Sequence, residues 1–269
     1  AESYFNIQWR DLGSSGRFGV NTGNGNLTAM NTFFALAGRG PALAVGCFYD
    51  DNDQYVSPLG TGWRLSYDSS LAVDVNGWGV QTHEDGSTHV YGKNEDGGFE
   101  SAPGQFGVLE ASANGYVITY KDGSSMIYRT SGGSYRLAEV KDRFNNTVFI
   151  NRDSLGRISS LRRSAVAADV AEVSFYYDAA DCLDYILTKP DPETGKQYKV
   201  DFTVVKDTNG NWEELKFTQL YQHGEGITPE AYWTTYHMGN ANTQTYVEDP
   251  GGHRATVTYC GDHRVNTIG

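Results

Sequence analysis

Several absences narrow the classes of protein to which this sequence can belong. None of its apolar runs approaches the roughly 20 residues that a membrane-spanning helix needs. Positive charge is scarce, with 21 Lys and Arg against 33 Asp and Glu, so the formal net charge is −12. Because a surface of this sign repels phosphate groups, nucleic acids and anionic bilayers are poor partners.

Cysteine and proline are also scarce. Cys47, Cys182 and Cys260 are too few and too widely spaced to form a disulfide framework. The chain has only seven prolines, whereas it has 32 glycines, 18 tyrosines and 12 phenylalanines. Aromatic residues favour strands and glycines favour tight turns. The composition therefore predicts an all-β protein of many short strands.

Motifs that carry chemistry are absent as well. The histidines show no zinc-ligand spacing, and Gly13–Gly16 only approximates the glycine-serine-glycine turn of a serine hydrolase. The acidic stretch Asp50–Asp53 lacks the glycine and distal glutamate of a calcium loop, so we interpret it as a solvated turn. We expect no catalytic residue, no metal, no cofactor and no enzymatic activity. The six histidines, which show no zinc-ligand spacing, are His83, His89, His223, His237, His253 and His263.

A tandem unit is the most informative feature that is present. Asn76-Gly77-Trp78 is followed by Asp85-Gly86-Ser87 and Tyr91. Asn114-Gly115-Tyr116 is followed, with nearly the same spacing, by Asp122-Gly123-Ser124 and Tyr128. The Asn-Gly pairs lie 38 residues apart (76 to 114) and the Asp-Gly pairs 37 (85 to 122). Repeats of this kind typically form extended surfaces, whereas catalysis requires one set of residues that is not repeated. The tandem unit therefore argues against an enzyme.

Alternating apolar residues on either side of turn signals predict a succession of β-hairpins. Tyr116–Tyr120 and Ser124–Tyr128 flank Asp122-Gly123, a pair that tolerates the positive φ of a hairpin turn. The stretch 228–238 is ambiguous. Thr228-Pro229-Glu230 resembles a helix start, whereas the aromatic and β-branched residues that follow favour a strand. Further hairpins are predicted at 78–91, 147–161, 173–187 and 199–220.

The sequence resembles the bacterial Rhs/YD-repeat family. Gly25-Asn26-Leu27, Gly38–Leu43 and Leu59–Asp68 are similar to the segment that precedes the repeats in that family. Later units resemble degenerate YD repeats, whose pattern is Tyr-Asp, two free positions, Gly-Arg and an aliphatic residue. Arg152 stands where Tyr is expected, Asp181-Cys182 where Gly-Arg is expected, and Cys260 where Asp is expected.

This resemblance implies antiparallel hairpin repeats in a coiled or curved extended sheet, with a leading segment at 1–70 and a continuous repeat sheet at 71–269. It implies a structural segment of a secreted or cell-surface protein, forming part of a shell or stalk that encases or presents a carboxy-terminal effector. The expected structural residues are Trp63, Tyr67, Asp68, Asp85, Gly86, Tyr91, Asp122, Gly123, Tyr128, Gly156, Arg157, Tyr177, Asp178 and Tyr259. Trp63 and Tyr67 are expected to be substantially buried.

Two other functions remain open from the residues. The 5 Trp, 18 Tyr and 12 Phe could supply a carbohydrate- or cell-wall-binding face, although strand packing also explains them. A β-rich hydrolase would need a concave acidic pocket. The expected partners are the remainder of a longer parent chain and, in the first of these alternatives, a cell-wall glycan. The sequence ends within a repeat-like unit, so we expect an open strand edge and weak self-association.

Overall fold

The computed structural model describes residues 7–12, 16–22, 25–38, 40–163, 172–206, 212–223, 230–237, 245–248, 254–259 and 265–268. These residues form strands and turns, and no helix occurs in the described ranges. Every recorded strand pairing is antiparallel within its sheet. The all-β, antiparallel prediction is therefore confirmed.

Most strands are short. The first nine are β1 Ile7–Leu12, β2 Gly16–Asn21, β3 Leu27–Leu36, β4 Leu43–Asp50, β5 Val56–Ser57, β6 Gly60–Thr61, β7 Trp63–Leu65, β8 Ser70–Val73 and β9 Gly79–Thr82. Next come β10 Thr88–Lys93, β11 Phe99–Ser101, β12 Val108–Ser112, β13 Gly115–Thr119, β14 Ser125–Ser131, β15 Ser134–Lys141, β16 Thr147–Arg152 and β17 Ile158–Arg162. The last are β18 Val173–Tyr177, β19 Leu183–Thr188, β20 Gln197–Lys206, β21 Trp212–His223, β22 Glu230–His237, β23 Thr245–Glu248, β24 Arg254–Tyr259 and β25 Val265–Ile268.

The chain divides into two compact units that interleave along the sequence. Unit 1 takes residues 35–44 and 65–174, and unit 2 takes 2–34, 45–64 and 175–269. The sequence places its boundary near residue 70 and assigns one segment to each side. That boundary stays a prediction.

Unit 1 is a ladder of hairpins. From β8 to β17 each strand lies beside the next strand along the chain, as in the β13–β14 pair of Tyr116 with Tyr128. Strand β15 also pairs with β8, through Tyr135 with Leu71 and Arg136 with Ser70. Side chains on one face of these strands make the core. Its fully buried members include Leu71, Tyr91, Leu109, Ile118, Tyr128, Leu137, Val148 and Leu161.

Unit 2 contains most of the sheet ordered β1-β2-β3-β4-β7 and the consecutive pairs from β19 to β25. Trp63 is fully buried, and its ring lies 5.1 Å from that of Tyr49 between centroids. Phe33 and Phe202 meet edge to face at 5.3 Å. Gly46 lies in a close approach, because a Cβ there would stand 2.0 Å from the Asn31 carbonyl oxygen.

The ambiguous stretch at 228–238 is resolved where it is described. Glu230–His237 is strand β22, which pairs antiparallel with β21 from Tyr221–Glu230 to Glu214–His237. The helix alternative is wrong, because β-branched and aromatic side chains and a long partner strand outweigh the helix-start signal. The residues Thr228 and Pro229 that carried that signal lie outside the described ranges.

Candidate functional site

The hairpin turns repeat one five-residue design. In residues 153–157 the backbone N–H of Asp153 donates to the Arg157 carbonyl at 2.9 Å, and that of Gly156 donates to the Asp153 carbonyl at 3.0 Å. The Asp153 carboxylate then accepts the backbone N–H groups of Leu155 and Arg157 at 3.0 and 2.9 Å. One carboxylate thus satisfies two donors of its own turn. The same bonds recur in the turns that begin at Asp74, Asp142 and Asp178.

The fourth turn residue adopts the left-handed backbone conformation. Gly156 has φ 82°, as a glycine there allows without steric penalty. Asn145 and Asp181 occupy the same position with φ 64° and 61°. Asn and Asp tolerate this conformation better than other side chains that carry a Cβ. The departure from Gly-Arg at Asp181-Cys182 therefore leaves the turn geometry unchanged.

A second form of the turn places the aspartate third instead of first. Asp85 accepts the backbone N–H of Ser87 at 3.0 Å and its hydroxyl at 2.6 Å. Asp122 accepts the same two groups of Ser124 at 2.9 and 2.6 Å. These bonds from Ser124 hold the pKa of Asp122 below its ordinary value. Gly86 and Gly123, the fourth residues, have φ of 80° and 83°.

Arg157 and Asp153 form an ion pair within one turn. The Arg157 Nε donates to the second oxygen of Asp153 at 2.7 Å. Burial acts to raise the pKa of Asp153, but the hydrogen bonds and charge of Arg157 outweigh it and leave the pKa below its ordinary value. The sequence placed Gly156 and Arg157 in a structural turn, and the structure shows the bonds by which they form it.

Arg152, which stands where the repeat pattern has Tyr, reaches back to the stretch at 67–68. Its guanidinium donates to the Tyr67 carbonyl at 3.2 Å and to the Gly156 carbonyl at 2.9 Å, and it lies 3.4 Å from the Asp68 carboxylate. Its side chain is only 7% exposed. Because a buried charge that loses its partner is strongly destabilising, this contact ties the stretch at 67–68 firmly to the end of strand β16. We name Asp68, Arg152 and the carbonyls of Tyr67 and Gly156 the arginine anchor.

Tyr67 shows intermediate burial, in line with the expectation for it. The side chain is half-buried, its backbone has φ 67°, and its hydroxyl donates to the Ala42 carbonyl at 3.1 Å. Partial burial raises its pKa to about 12.

Tyr91 and Tyr128, the last residues of the two tandem copies, both form hydrogen bonds with Gln81 inside unit 1. The Gln81 amide donates to the Tyr128 hydroxyl at 2.8 Å, and the Tyr91 hydroxyl donates to the Gln81 carbonyl at 3.1 Å. Ser69 donates to the Thr82 carbonyl at 2.7 Å and lies 2.9 Å from the Tyr128 hydroxyl.

The proton order of this network follows from its acceptors. Because the Ser69 proton goes to a carbonyl, Tyr128 donates to Ser69 and accepts from Gln81. Burial raises the pKa of both Tyr91 and Tyr128, so both hydroxyls stay protonated. We call Ser69, Gln81, Tyr91 and Tyr128 the tyrosine–glutamine network. The sequence identified Tyr91 and Tyr128 as repeat positions but missed Gln81, whose only signal is a polar residue on the inward face of a strand.

Two histidines meet beside the Asp85 turn. The His83 Nε2 lies 3.3 Å from the His89 Nδ1 across the β9–β10 hairpin. Burial lowers the pKa of His83, with Asp85 opposing it, and burial also lowers that of His89. Burial raises the pKa of the adjacent Glu84. Among the residues that the structure describes, no three His, Cys, Asp or Glu side chains are grouped to hold a metal ion.

The carboxylates of the acidic stretch at 50–53 accept hydrogen bonds from side chains elsewhere in the chain. Asp50 accepts the Asn26 amide at 2.9 Å, Asp51 accepts the Tyr49 hydroxyl at 2.7 Å, and the Asp53 carboxylate pairs with Arg64 at 2.5 Å. Protein donors therefore occupy these carboxylates, in keeping with a turn.

The other candidate residues lie at separate places. Cys47 is fully buried, which raises the pKa of its thiol, and Cys182 is buried in the Asp178 turn. Tyr177 ends β18 next to Asp178, and Tyr259 ends β24. Within the described ranges, no helix is long and apolar enough to cross a bilayer. Gly13–Ser15, His253, Cys260 and His263 lie outside those ranges.

Comparison with known proteins finds similarity over part of the chain. Residues 19–91 match the family model described as "Domain of unknown function (DUF6531)". A stretch of 135 residues, half of this chain, is 27% identical to tRNA nuclease WapA of Bacillus subtilis strain 168. The same identity and extent hold for tRNA(Glu)-specific nuclease WapA of B. subtilis subsp. natto and tRNA3(Ser)-specific nuclease WapA of Bacillus spizizenii. The match spans 6% of the length of each relative. These similarities are consistent with an Rhs-like family.

Proposed function

We propose that this chain is a non-catalytic structural segment of a longer secreted or cell-surface protein, in which it forms part of a shell or stalk around a carboxy-terminal effector. The leading segment is residues 1–70 and the repeat sheet is 71–269. The observation that carries the proposal is the succession of hairpins closed by self-anchored turns, in which the aspartate carboxylate accepts backbone N–H groups of its own turn. Such a ladder buries its face only by stacking on neighbouring hairpins, so it extends as a surface.

The comparisons support the same role. The relatives are tRNA nucleases, yet the matched stretch is 6% of their length. The family match over residues 19–91 and the partial similarity to WapA agree with a structural segment of an Rhs-like protein. The net charge of −12 also disfavours a tRNA-binding role for this segment.

The arginine anchor provides the test, in the full-length parent protein. Arg152→Met keeps the volume and removes the buried charge, whereas Arg143→Met alters an exposed arginine beside Phe144 and serves as the matched control. Limited proteolysis should leave the effector protected in the wild type and in Arg143→Met, and should release it in Arg152→Met. Equal release of the effector from all three proteins would contradict the proposal.

The non-catalytic part of the proposal has its own measurement. The isolated 269-residue chain, incubated with total tRNA, should leave the tRNA intact under conditions in which WapA of Bacillus subtilis cleaves it. Cleavage by the isolated chain would overturn the proposal.

A further inference from the structure

Unit 1 has an open recess beside the β12–β13 turn. Its volume is about 640 Å³, and it is lined by residues 111–116, Arg129, Thr130 and Tyr135. This volume falls in the range of small-ligand sites, roughly 300–1,000 Å³. We name it the tyrosine recess.

Two tyrosine rings form the corner of the tyrosine recess. Tyr116 on β13 and Tyr135 on β15 meet at 90° with centroids 4.8 Å apart, and Phe99 packs behind Tyr116 at 5.9 Å and 79°. Both tyrosines are half-buried, whereas Tyr128 on the intervening β14 is fully buried. The corner therefore presents apolar ring surface to solvent at a fixed angle, while packing behind it holds the rings in place.

Much of the remaining lining is polar, apart from Ala111, Ala113 and Gly115, and it carries little net charge. Ser112, Asn114 and Thr130 are exposed and offer hydroxyl and amide groups. The one cation, Arg129, is paired with Glu139 at 2.6 Å. Because the cation is already neutralised, an anionic ligand gains little there, and because the walls are polar, a purely apolar ligand would leave their donors unpaired.

From this combination we infer that the tyrosine recess binds an uncharged oligosaccharide. A sugar ring has apolar C–H faces that stack on the tyrosine rings and hydroxyls that bond the surrounding polar side chains. The inference is independent of the scaffold role proposed above, because it depends on one recess of unit 1 and not on the continuity of the sheet.

The test is titration of the isolated chain with two uncharged trisaccharides, the N-acetylglucosamine trimer and maltotriose, followed by calorimetry and by saturation-transfer NMR. We expect at least one to bind, with saturation transferred from the tyrosine protons. Tyr116→Ala should weaken that binding by roughly tenfold or more. Asn114→Ala, at an exposed turn position where folding is not at risk, should weaken it by roughly threefold.

Tyr176→Ala is the matched control. Tyr176 is 40% exposed and stacks on Tyr185 in unit 2, so its loss should leave affinity unchanged. Absence of binding by both trisaccharides at about 10 mM would overturn the inference. Binding that Tyr116→Ala and Asn114→Ala leave intact, or that Tyr176→Ala weakens equally, would overturn it too. Failure in either form leaves the protease-protection test of the scaffold unaffected.

Discussion

The two tandem copies agree at one end and differ at the other. Their Asp-Gly-Ser turns make the same bonds, and their final tyrosines, Tyr91 and Tyr128, both join the tyrosine–glutamine network. Their Asn-Gly-aromatic ends do not match. Gly77 has φ 82° inside a five-residue turn, whereas Gly115 has φ 141° and begins strand β13.

The residue two positions before the asparagine differs between the copies. In the first copy it is Asp74, which accepts the N–H groups of Asn76 and Trp78 at 2.9 and 2.8 Å and holds the turn. In the second copy it is Ser112, which pairs with Gly115 across the shorter β12–β13 turn. One carboxylate thus holds the longer turn in the first copy, whereas strand pairing fixes Gly115 in the second. As a result Trp78 is 49% exposed, while Tyr116 lines the tyrosine recess.

Alanine at the two glycines gives the largest expected contrast. A Cβ at Gly115 would lie 2.0 Å from the Tyr128 carbonyl oxygen, so Gly115→Ala should lower the free energy of unfolding by about 3 kcal/mol. Gly77→Ala meets only the Lys93 side chain at 3.2 Å and should lower it by about 1 kcal/mol, from the strained φ. Urea unfolding measures both, and equal losses would remove the proposed distinction.

Removing the two hydroxyls should separate the final tyrosines. Tyr128→Phe leaves both the Gln81 amide and Ser69 without this partner and should lower the unfolding free energy by about 2 kcal/mol. Tyr91→Phe leaves only the Gln81 carbonyl and should lower it by about 1 kcal/mol. The ranking is the result to check by chemical denaturation; a larger loss for Tyr91→Phe would contradict the assignment of two hydrogen bonds to the Tyr128 hydroxyl and one to that of Tyr91.

Substitution of Asp74 or of Ser112 should have a smaller effect on the unfolding free energy. Asp74→Ala removes the carboxylate that accepts the backbone N–H groups of Asn76 and Trp78, and should lower the unfolding free energy by about 1 kcal/mol. Ser112→Asp should change it by less than about 0.5 kcal/mol, because pairing of β13 with β14 already fixes Gly115. Amide chemical shifts of residues 113–116 report whether the second copy adopts the longer turn. If the Ser112→Asp variant adopts the longer turn, the aspartate alone is sufficient to determine the length of the turn.

The smallest expected effect is pH dependence between pH 5.5 and 7.5, which only the first copy should show at its Asp-Gly-Ser turn. His83 and Glu84 stand there in place of Tyr120 and Lys121. Because the pKa of folded His83 lies below 6.5, the unfolded chain takes up a proton first, and stability falls as the pH drops below 6.5. Thermal unfolding between pH 7.5 and 5.5 should show this slope, and His83→Gln should flatten it.

Glu84 acts with the opposite sign. Its folded pKa lies above 4.5, so stability falls as the pH rises from 4.5 through the folded pKa, and the penalty persists at higher pH. Glu84→Gln should therefore raise the thermal midpoint at pH 7.5, with Lys121→Gln as the matched change in the second copy. An unchanged midpoint in Glu84→Gln would show that its burial carries no penalty.

How much the sequence predicts depends on the range of the interactions. The hairpins at 78–91, 116–128 and 147–161 were predicted because their turns are fixed by residues within five positions. The bonds of Gln81 and Arg152 were not, because their partners lie up to 85 residues away. The tyrosine recess was missed for the same reason, since only strand register brings Tyr116 beside Tyr135. Local periodicity also left 230–237 undecided until its pairing with β21 was known.

The self-anchored turn has a consequence for how such a chain can change length. Asp153 and its counterparts find their bonding partners inside their own loop, so a hairpin brought in by gene duplication arrives with its closure already encoded. The neighbouring hairpins need supply only a matching edge and an apolar face. Loss of a hairpin also removes the aspartate that closes its turn, so no turn carboxylate is left without its backbone partners. Gain or loss in whole hairpins is therefore the least disruptive path by which proteins of this kind can diverge in size.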